Sequence, residues 1–168
     1  ERTNPWMQES SNKIIQSGEI VSFDTDMVGP YGYCADISRA FVEGNKFNDD
    51  QKKLYSMAID QINHNYRLIK PGMSFIEFTE KSWILPEEYY GNRYSVMLHG
   101  IGMCDEWPAI RYPTDGGQRN GYFEKNMTIT LESYIGKVGG KEGVKLEQQY
   151  LVGENGLELM SHHPLEDI

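Results

Sequence analysis

Two glutamates lie within two long β-prone segments of the chain, and few folds can accept them there. Glu132 lies inside residues 127–134, and Glu147 lies inside residues 144–152. An ionised carboxylate is costly to bury alone, so an acid flanked by β-branched and aromatic residues usually meets an arginine, a lysine or a metal ion. A glutamate that faces solvent on an edge strand is the alternative for either position. If both strands are buried, the fold must supply a cationic partner.

A predicted β-hairpin near the start of the chain brings three aspartates together. The β-prone run of residues 20–23 should end near Asp24, and a Gly-Pro turn then leads to a returning strand over residues 33–42. Asp24, Asp26 and Asp36 should therefore lie near one another. Because aspartate is also common in turns, this cluster taken alone indicates a metal site only weakly.

Two helices are predicted between the hairpin and the later strands. Apolar residues recur at helical spacing between residues 48 and 70, and Asn48 and Ser74 each begin the pattern of a capping box. The second helix should be short and end near Lys81. The remaining β-prone runs are residues 96–99, 128–134 and 144–152. These elements predict one α+β domain, an antiparallel sheet flanked by helices.

His99 follows an apolar run, residues 94–98, and precedes Gly100-Ile101-Gly102. A lone histidine in this position is more often a hydrogen-bonded core residue than a metal ligand. The order of the residues is more specific than any one of them: aspartates on a hairpin, and then His99, Glu132 and Glu147, each expected at a strand position.

These motifs resemble, in the same order, the metal-binding motifs of the methionine aminopeptidase, prolidase and creatinase superfamily. The residues that carry the resemblance are Asp26, Asp36, His99 to Gly102, Glu132 and Gly143 to Glu147. The resemblance covers nearly the whole chain and implies the pita-bread fold, with residues 1–168 as its C-terminal, metal-binding catalytic domain, incomplete at the N-terminus.

The resemblance also implies two divalent metal ions. Oxygen ligands with one imidazole suit manganese, iron, cobalt or zinc. With Asp24 as an additional sixth member, the implied ligands are Asp24, Asp26, Asp36, His99, Glu132 and Glu147.

Two departures from the peptidase pattern narrow the expected function. In peptidases of the superfamily a second histidine follows the His-Gly-Ile-Gly segment and assists cleavage of the peptide bond, whereas Asp105 stands near that position here. A carboxylate is poorly suited to stabilise an oxyanion, but it is suited to act as a base. The second departure is the doubled acid, Asp24 and Asp26. Both features resemble the dimethylsulfoniopropionate lyase branch of the superfamily.

That resemblance implies cleavage of dimethylsulfoniopropionate to dimethyl sulfide and acrylate by β-elimination, with iron as the metal, Asp105 as the base and a homodimer as the assembly. The sulfonium group of the substrate is cationic and apolar, so aromatic faces suit it. Tyr94 and Trp107 are the candidates nearest in the sequence, with core packing as the alternative for both. A dinuclear aminopeptidase or Xaa-Pro dipeptidase, and a binding module without catalysis, are the alternative functions.

The composition is that of an ordinary soluble globular domain. The formal net charge of −9 and the lack of a Lys/Arg cluster disfavour nucleic acid as a partner. No run reaches the roughly 18 consecutive apolar residues of a membrane helix. Two cysteines do not make a disulfide framework at this length, which favours a reducing cytoplasm. Because the chain begins without methionine, shortly before a predicted strand, we expect a fragment that is poorly stable alone.

Overall fold

The computed structural model describes residues 11–44, 46–117 and 119–165. Its helices are α1 (Asp49–Leu68), α2 (Phe75–Lys81) and α3 (Glu87–Tyr90). Its strands are β1 (Ile20–Asp24), β2 (Met27–Val28), β3 (Cys34–Ala35), β4 (Ser38–Val42), β5 (Val96–Gly100), β6 (Ala109–Arg111), β7 (Thr128–Gly136), β8 (Gly143–Val152) and β9 (Leu157–Leu159).

One antiparallel sheet organises these elements, in the order β1-β4-β8-β7-β5-β6, with β9 added to β8. The short strands β2 and β3 form a separate two-stranded ribbon. Helix α1 packs against β7 and β8. The predicted α+β class, an antiparallel sheet flanked by helices, is confirmed.

The central hairpin β7–β8 has two chemically different faces. Its register pairs Glu132 directly with Glu147, so both side chains lie on one face. Alternation along β7 places the neighbouring Ser133 on the opposite face, where its hydroxyl donates to Oε1 of Gln61 in α1 at 2.6 Å. The glutamates therefore point away from the helix-covered core.

The neighbouring strands extend the glutamate face in both directions. Ser38 of β4 is the direct partner of Glu147, and His99 of β5 is the direct partner of Thr130. Because Thr130 lies two residues before Glu132 on the same strand, His99 shares the face of the glutamates. Four adjacent strands thus present polar side chains to one region.

Helix α1 begins at the predicted capping box. The side chain of Asn48 accepts a hydrogen bond from the backbone N–H of Gln51 at 2.9 Å, and Oε1 of Gln51 accepts one from the backbone N–H of Asn48 at 3.0 Å. Helix α2 begins with half of that motif, since Ser74 caps the N–H of Glu77 but the Glu77 carboxylate pairs with Lys81 instead. No helix in the described ranges is long and apolar enough to cross a membrane.

The predicted returning strand of the hairpin is divided in the structure. The prediction of one strand over residues 33–42 is wrong at Asp36 and Ile37, which separate β3 from β4. The hydroxyl of Thr25 explains the break, because it donates to the carbonyl of Ile37 and accepts from its N–H, both at 3.0 Å. A side chain replaces the ladder partner, and Asp36 lies in this gap rather than on a strand.

Candidate metal centre

Three of the predicted ligands surround the imidazole of a fourth, His99. Its Nε2 atom lies 3.1 Å from Oε1 of Glu147, 3.6 Å from Oδ2 of Asp36 and 3.8 Å from Oε1 of Glu132. Each of the four residues is at most 2% exposed. The sheet register explains the convergence, since the strand residues among them occupy one face.

A second group of acids adjoins the first. Carboxylate oxygens of Asp26, Asp36 and Asp105 lie within 4.8 Å of one another, as do the ligand atoms of Asp36, His99 and Glu147. Asp36 belongs to both groups. Two adjacent groups that share a carboxylate are the arrangement that a pair of metal ions a few ångströms apart needs.

Asp24 has different partners. Its Oδ1 atom accepts a hydrogen bond from the hydroxyl of Ser38 at 2.5 Å, and its Oδ2 atom lies 3.3 Å from Nζ of Lys145. Through these two residues Asp24 is linked to Glu147, which also contacts both. Its role as a sixth ligand stays a prediction.

The buried oxygens fit a bound cation. Within the described part of the chain, Oδ1 of Asp36 and Oε1 of Glu132 are buried and have no hydrogen-bond partner. A buried carboxylate oxygen left without a partner is costly, and a metal ion would satisfy it. The donor set of carboxylates and one imidazole suits a divalent transition metal.

Two carboxyl groups hold their protons unusually tightly in the metal-free chain. Burial, together with the charges of Glu147 and Asp24, raises the pKa of Asp36 to about 9. Burial raises the pKa of Glu132 to about 8, against the opposing effect of Lys145. Carboxylates this close cannot all be ionised without added positive charge.

His99 and Glu147 behave as an ion pair in the metal-free chain. Burial disfavours the charged imidazole, but the hydrogen bond to Glu147 and the charge of Glu132 outweigh it and raise the pKa of His99 to about 10. Burial also disfavours ionised Glu147, yet Lys145 and His99 hold its pKa well below the usual range. Neutral imidazole is the form that binds metal, so an ion would displace this proton.

Residues 1–154 match the model of metallopeptidase family M24. The chain belongs to family M24. Its enzymes use divalent metal ions, which agrees with the two groups of ligand atoms described above.

Comparison with curated proteins adds a more specific similarity within family M24. The chain is 40% identical over 169 residues to the dimethylsulfoniopropionate lyase DddP of Roseovarius nubinhibens. The match covers 98% of this chain and 38% of DddP. The chain thus spans less than half the length of this relative.

Solved structures of family M24 peptidases share the fold. The X-Pro aminopeptidase of Thermotoga maritima superposes with a TM-score of 0.79 at 25% identity, over 98% of this chain and 46% of that protein. The prolidase of Pyrococcus furiosus superposes with a TM-score of 0.78 at 25% identity, over 96% of this chain and 47% of that protein. These similarities confirm the predicted pita-bread fold.

The two aromatic candidates differ in their surroundings. Tyr94 is half-buried beside the acids: Nζ of Lys145 lies 5.6 Å from its ring centroid, and burial with the nearby charge of Glu132 raises its pKa. Trp107 is 56% exposed, so it is not a core residue. The guanidinium carbon of Arg119 lies 3.6 Å from the Trp107 ring centroid, which shows that this face accepts a cation.

The sequence analysis assigned no role to Lys145, which the structure places within the group of acids. The sequence did indicate this position, because Glu147 lies two residues after Lys145, and strand alternation puts both on the same face of β8. What the spacing did not reveal is that the long side chain reaches across to β7 and β1.

Proposed function

We propose that the protein is a metal-dependent lyase that cleaves dimethylsulfoniopropionate to dimethyl sulfide and acrylate by β-elimination. The observation that carries the proposal is the position of Asp105, whose carboxylate lies close to those of Asp26 and Asp36. An elimination needs a base next to the group that binds the substrate carboxylate, and Asp105 supplies a carboxylate there. The 40% identity to a dimethylsulfoniopropionate lyase supports the same choice.

The proposed metal centre holds two divalent ions. When bound, they would hold the substrate carboxylate and stabilise the negative charge that develops on it. Iron is the metal that the family resemblance favours, and manganese, zinc and cobalt suit the same donors. The proposed ligands are Asp24, Asp26, Asp36, His99, Glu132 and Glu147.

Asp105 would act on the carbon next to the substrate carboxylate. It takes the proton from this carbon, and the electron pair of the broken C–H bond forms the double bond of acrylate. The C–S bond breaks with its electron pair on sulfur, which leaves as neutral dimethyl sulfide. Asp105 is only partly buried, so the proton can return to solvent before the next turnover.

The aromatic rings near Asp105 would bind the sulfonium group. Trp107 is two residues from Asp105 and already has a cation over its ring. Tyr94 lies near the buried acids and is the second candidate. Each such contact contributes about 0.5–2 kcal/mol.

A dinuclear aminopeptidase or Xaa-Pro dipeptidase is the second candidate function. The fold shared with the X-Pro aminopeptidase and the prolidase favours it. Asp105 argues against it, because a carboxylate beside Asp26 and Asp36 adds negative charge where a tetrahedral oxyanion would need stabilisation.

One assay separates the two reactions. The complete gene product, loaded with iron, should release dimethyl sulfide from dimethylsulfoniopropionate, detected in the headspace by gas chromatography, and should not hydrolyse an Xaa-Pro dipeptide. Protein treated with a chelator should be inactive. Hydrolysis of the dipeptide without release of dimethyl sulfide would overturn the lyase proposal, and a protein that binds no metal would favour the binding module.

The expected assembly is a cytoplasmic homodimer that acts on a small sulfonium compound. Both cysteines, Cys34 and Cys104, are free thiols, which suits a reducing compartment. Light scattering of the complete gene product measures the assembly directly.

A further inference from the structure

Lys145 is a buried lysine among the carboxylates of the candidate metal centre. Its Nζ atom lies 2.9 Å from Oε2 of Glu147 and 3.0 Å from Oε2 of Glu132. It also lies 3.3 Å from Oδ2 of Asp24 and 2.9 Å from Oγ of Ser38. An ammonium group at this position repels any metal ion bound to the same acids. Lys145 balances the charge of the acids while no ion is bound, but its charge alone would oppose the binding of an ion.

The two oxygens of each glutamate face different partners. The Oε2 atoms of both contact Lys145, whereas Oε1 of Glu147 lies 3.1 Å, and Oε1 of Glu132 3.8 Å, from Nε2 of His99. Lys145 thus orients both carboxylates and directs one oxygen of each towards His99. At Glu147 the hydroxyl of Ser38 assists by donating to the same Oε2 atom at 2.9 Å.

The oxygen of Glu132 that faces His99 is available for a ligand. It is buried and has no hydrogen-bond partner among the described residues, and the same is true of Oδ1 of Asp36. Lys145 itself is only 4% exposed, so water does not compete strongly for its contacts. Its side chain is therefore well placed to set the geometry of the acids.

We propose that Lys145 is a positioning residue of the metal centre. It holds Oε2 of Glu132 and Glu147 so that the Oε1 atoms face the ion position beside His99 before an ion binds. This inference rests on the metal centre proposed above, and it does not depend on the choice between lyase and peptidase.

Two effects of Lys145 on metal affinity have opposite signs, and this makes the proposal testable. Removing a positive charge next to the ions would by itself strengthen binding. Removing the contacts that orient Glu132 and Glu147 would weaken it. The sign of the change in affinity therefore distinguishes orientation from simple repulsion.

The test compares Lys145→Met and Lys145→Arg in the complete gene product. Affinity for manganese and zinc is measured by competition with a chelating dye, without any substrate. We expect Lys145→Met to bind the first ion at least about 10-fold more weakly, and Lys145→Arg to stay near the wild-type affinity. Lys125→Met, which removes an exposed ion pair with Glu154, is the control and should change nothing. Unchanged or tighter binding by Lys145→Met would overturn the proposal.

A second measurement covers the case in which Lys145→Met does not fold without metal. Urea unfolding of the chelated protein is followed for Lys145→Met, Glu132→Gln and the double variant. If Lys145 holds Glu132, the loss of stability in the double variant should be smaller than the sum of the two single losses, because each single variant already removes the contact between the two side chains. Strictly additive losses of stability would contradict the proposal.

The outcomes also separate this inference from the proposed function. If wild-type protein binds no metal, the proposed function fails, and the unfolding measurement still tests the contact between Lys145 and Glu132. If the wild type releases dimethyl sulfide while Lys145→Met binds metal as tightly, the function stands and the positioning role is wrong.

Discussion

Glu132 and Glu147 are direct partners across the antiparallel strands β7 and β8. Like charges directly opposite one another destabilise a sheet, and these two residues are at most 2% exposed. The metal-free chain tolerates the pair because Lys145 contacts both residues and because burial raises the pKa of Glu132 to about 8. Bound cations would remove the need for that proton.

The first prediction concerns the pH dependence of the metal-free protein. The folded-state pKa values of Asp36 (about 9), Glu132 (about 8) and His99 (about 10) exceed the ordinary values of these groups, 3.8, 4.5 and 6.5. The folded chain therefore binds protons more tightly than the unfolded chain, and its free energy of unfolding should fall as the pH rises from about 4.5 to 9. Glu147 has the opposite shift, so its contribution is lost only in acid.

Thermal unfolding with and without metal checks this prediction. The melting temperature of the chelated protein should decrease as the pH is raised from 5.5 to 8.5. The increase in melting temperature on adding metal should become larger over the same pH interval. Calorimetry in buffers of different ionisation enthalpy should detect protons released on metal binding. If the increase in melting temperature on adding metal became smaller as the pH rises, the raised pKa values of Asp36, Glu132 and His99 would be contradicted.

The second prediction concerns Asp105. Asp105→Asn should reduce turnover of dimethylsulfoniopropionate by roughly 100- to 10,000-fold, because an amide cannot accept the proton. Metal content, measured by atomic emission spectrometry, should equal that of the wild type. A loss of metal would show that Asp105 is a ligand, since its carboxylate lies within 4.8 Å of those of Asp26 and Asp36.

The third prediction concerns the face of Trp107. Arg119 lies over this ring and would compete with the sulfonium group of the substrate. Trp107→Leu should raise KM by roughly 2- to 30-fold with little change in kcat, whereas Arg119→Gln should lower KM. Tyr122→Leu, which alters another exposed aromatic residue, is the control. An unchanged KM in Trp107→Leu would exclude the ring from substrate binding.

The fourth prediction concerns the close contact between β5 and the segment that follows it. A Cβ atom on Gly100 would lie 2.1 Å from the carbonyl oxygen of Trp107, so the backbone of the segment would have to move. Gly100→Ala should destabilise the protein by roughly 1–3 kcal/mol and reduce turnover, because Asp105 lies in that segment.

Gly91→Ala is the matched control for this change. Gly91 has helical backbone angles, and its new Cβ would meet only a methyl group of Val138 at 3.0 Å. Urea unfolding of both variants gives the comparison. Equal stability of the two variants would show that the segment adapts without cost.

The fifth prediction concerns the 168-residue chain by itself. Phe23, Met27, Val28 and Tyr33 are between 57% and 73% exposed, and they lie on or beside the outermost strand β1 and the ribbon β2–β3. Such a surface favours association and a weakly cooperative structure. Calorimetry should give a broad transition with a small enthalpy, and a sharp transition would refute the expectation.

The sequence predicted the long strands because each of them contains a run of β-prone residues. Glu132 and Glu147 are embedded in β-prone runs, and His99 ends another, so their positions on β5, β7 and β8 followed from composition and alternation. The capping box of α1 was equally visible, because Asn48 and Gln51, three positions apart, make both of its hydrogen bonds.

The short elements could not be predicted in this way. Strands β6 and β9 and helix α3 have only three or four residues each, and their pairing or packing comes from the rest of the fold. The gap at Asp36 depends on the hydroxyl of Thr25, and the reach of Lys145 depends on which strands become neighbours. Both features depend on tertiary contacts and leave no local pattern in the sequence.

The register of the β7–β8 hairpin restricts how the gene can change in length. An inserted or deleted residue between Glu132 and the turn at residues 137–142 would rotate one glutamate to the side covered by α1. The same change within the turn leaves every partner in place. Natural length variation should therefore accumulate in that turn and be excluded from the strand segments that flank it.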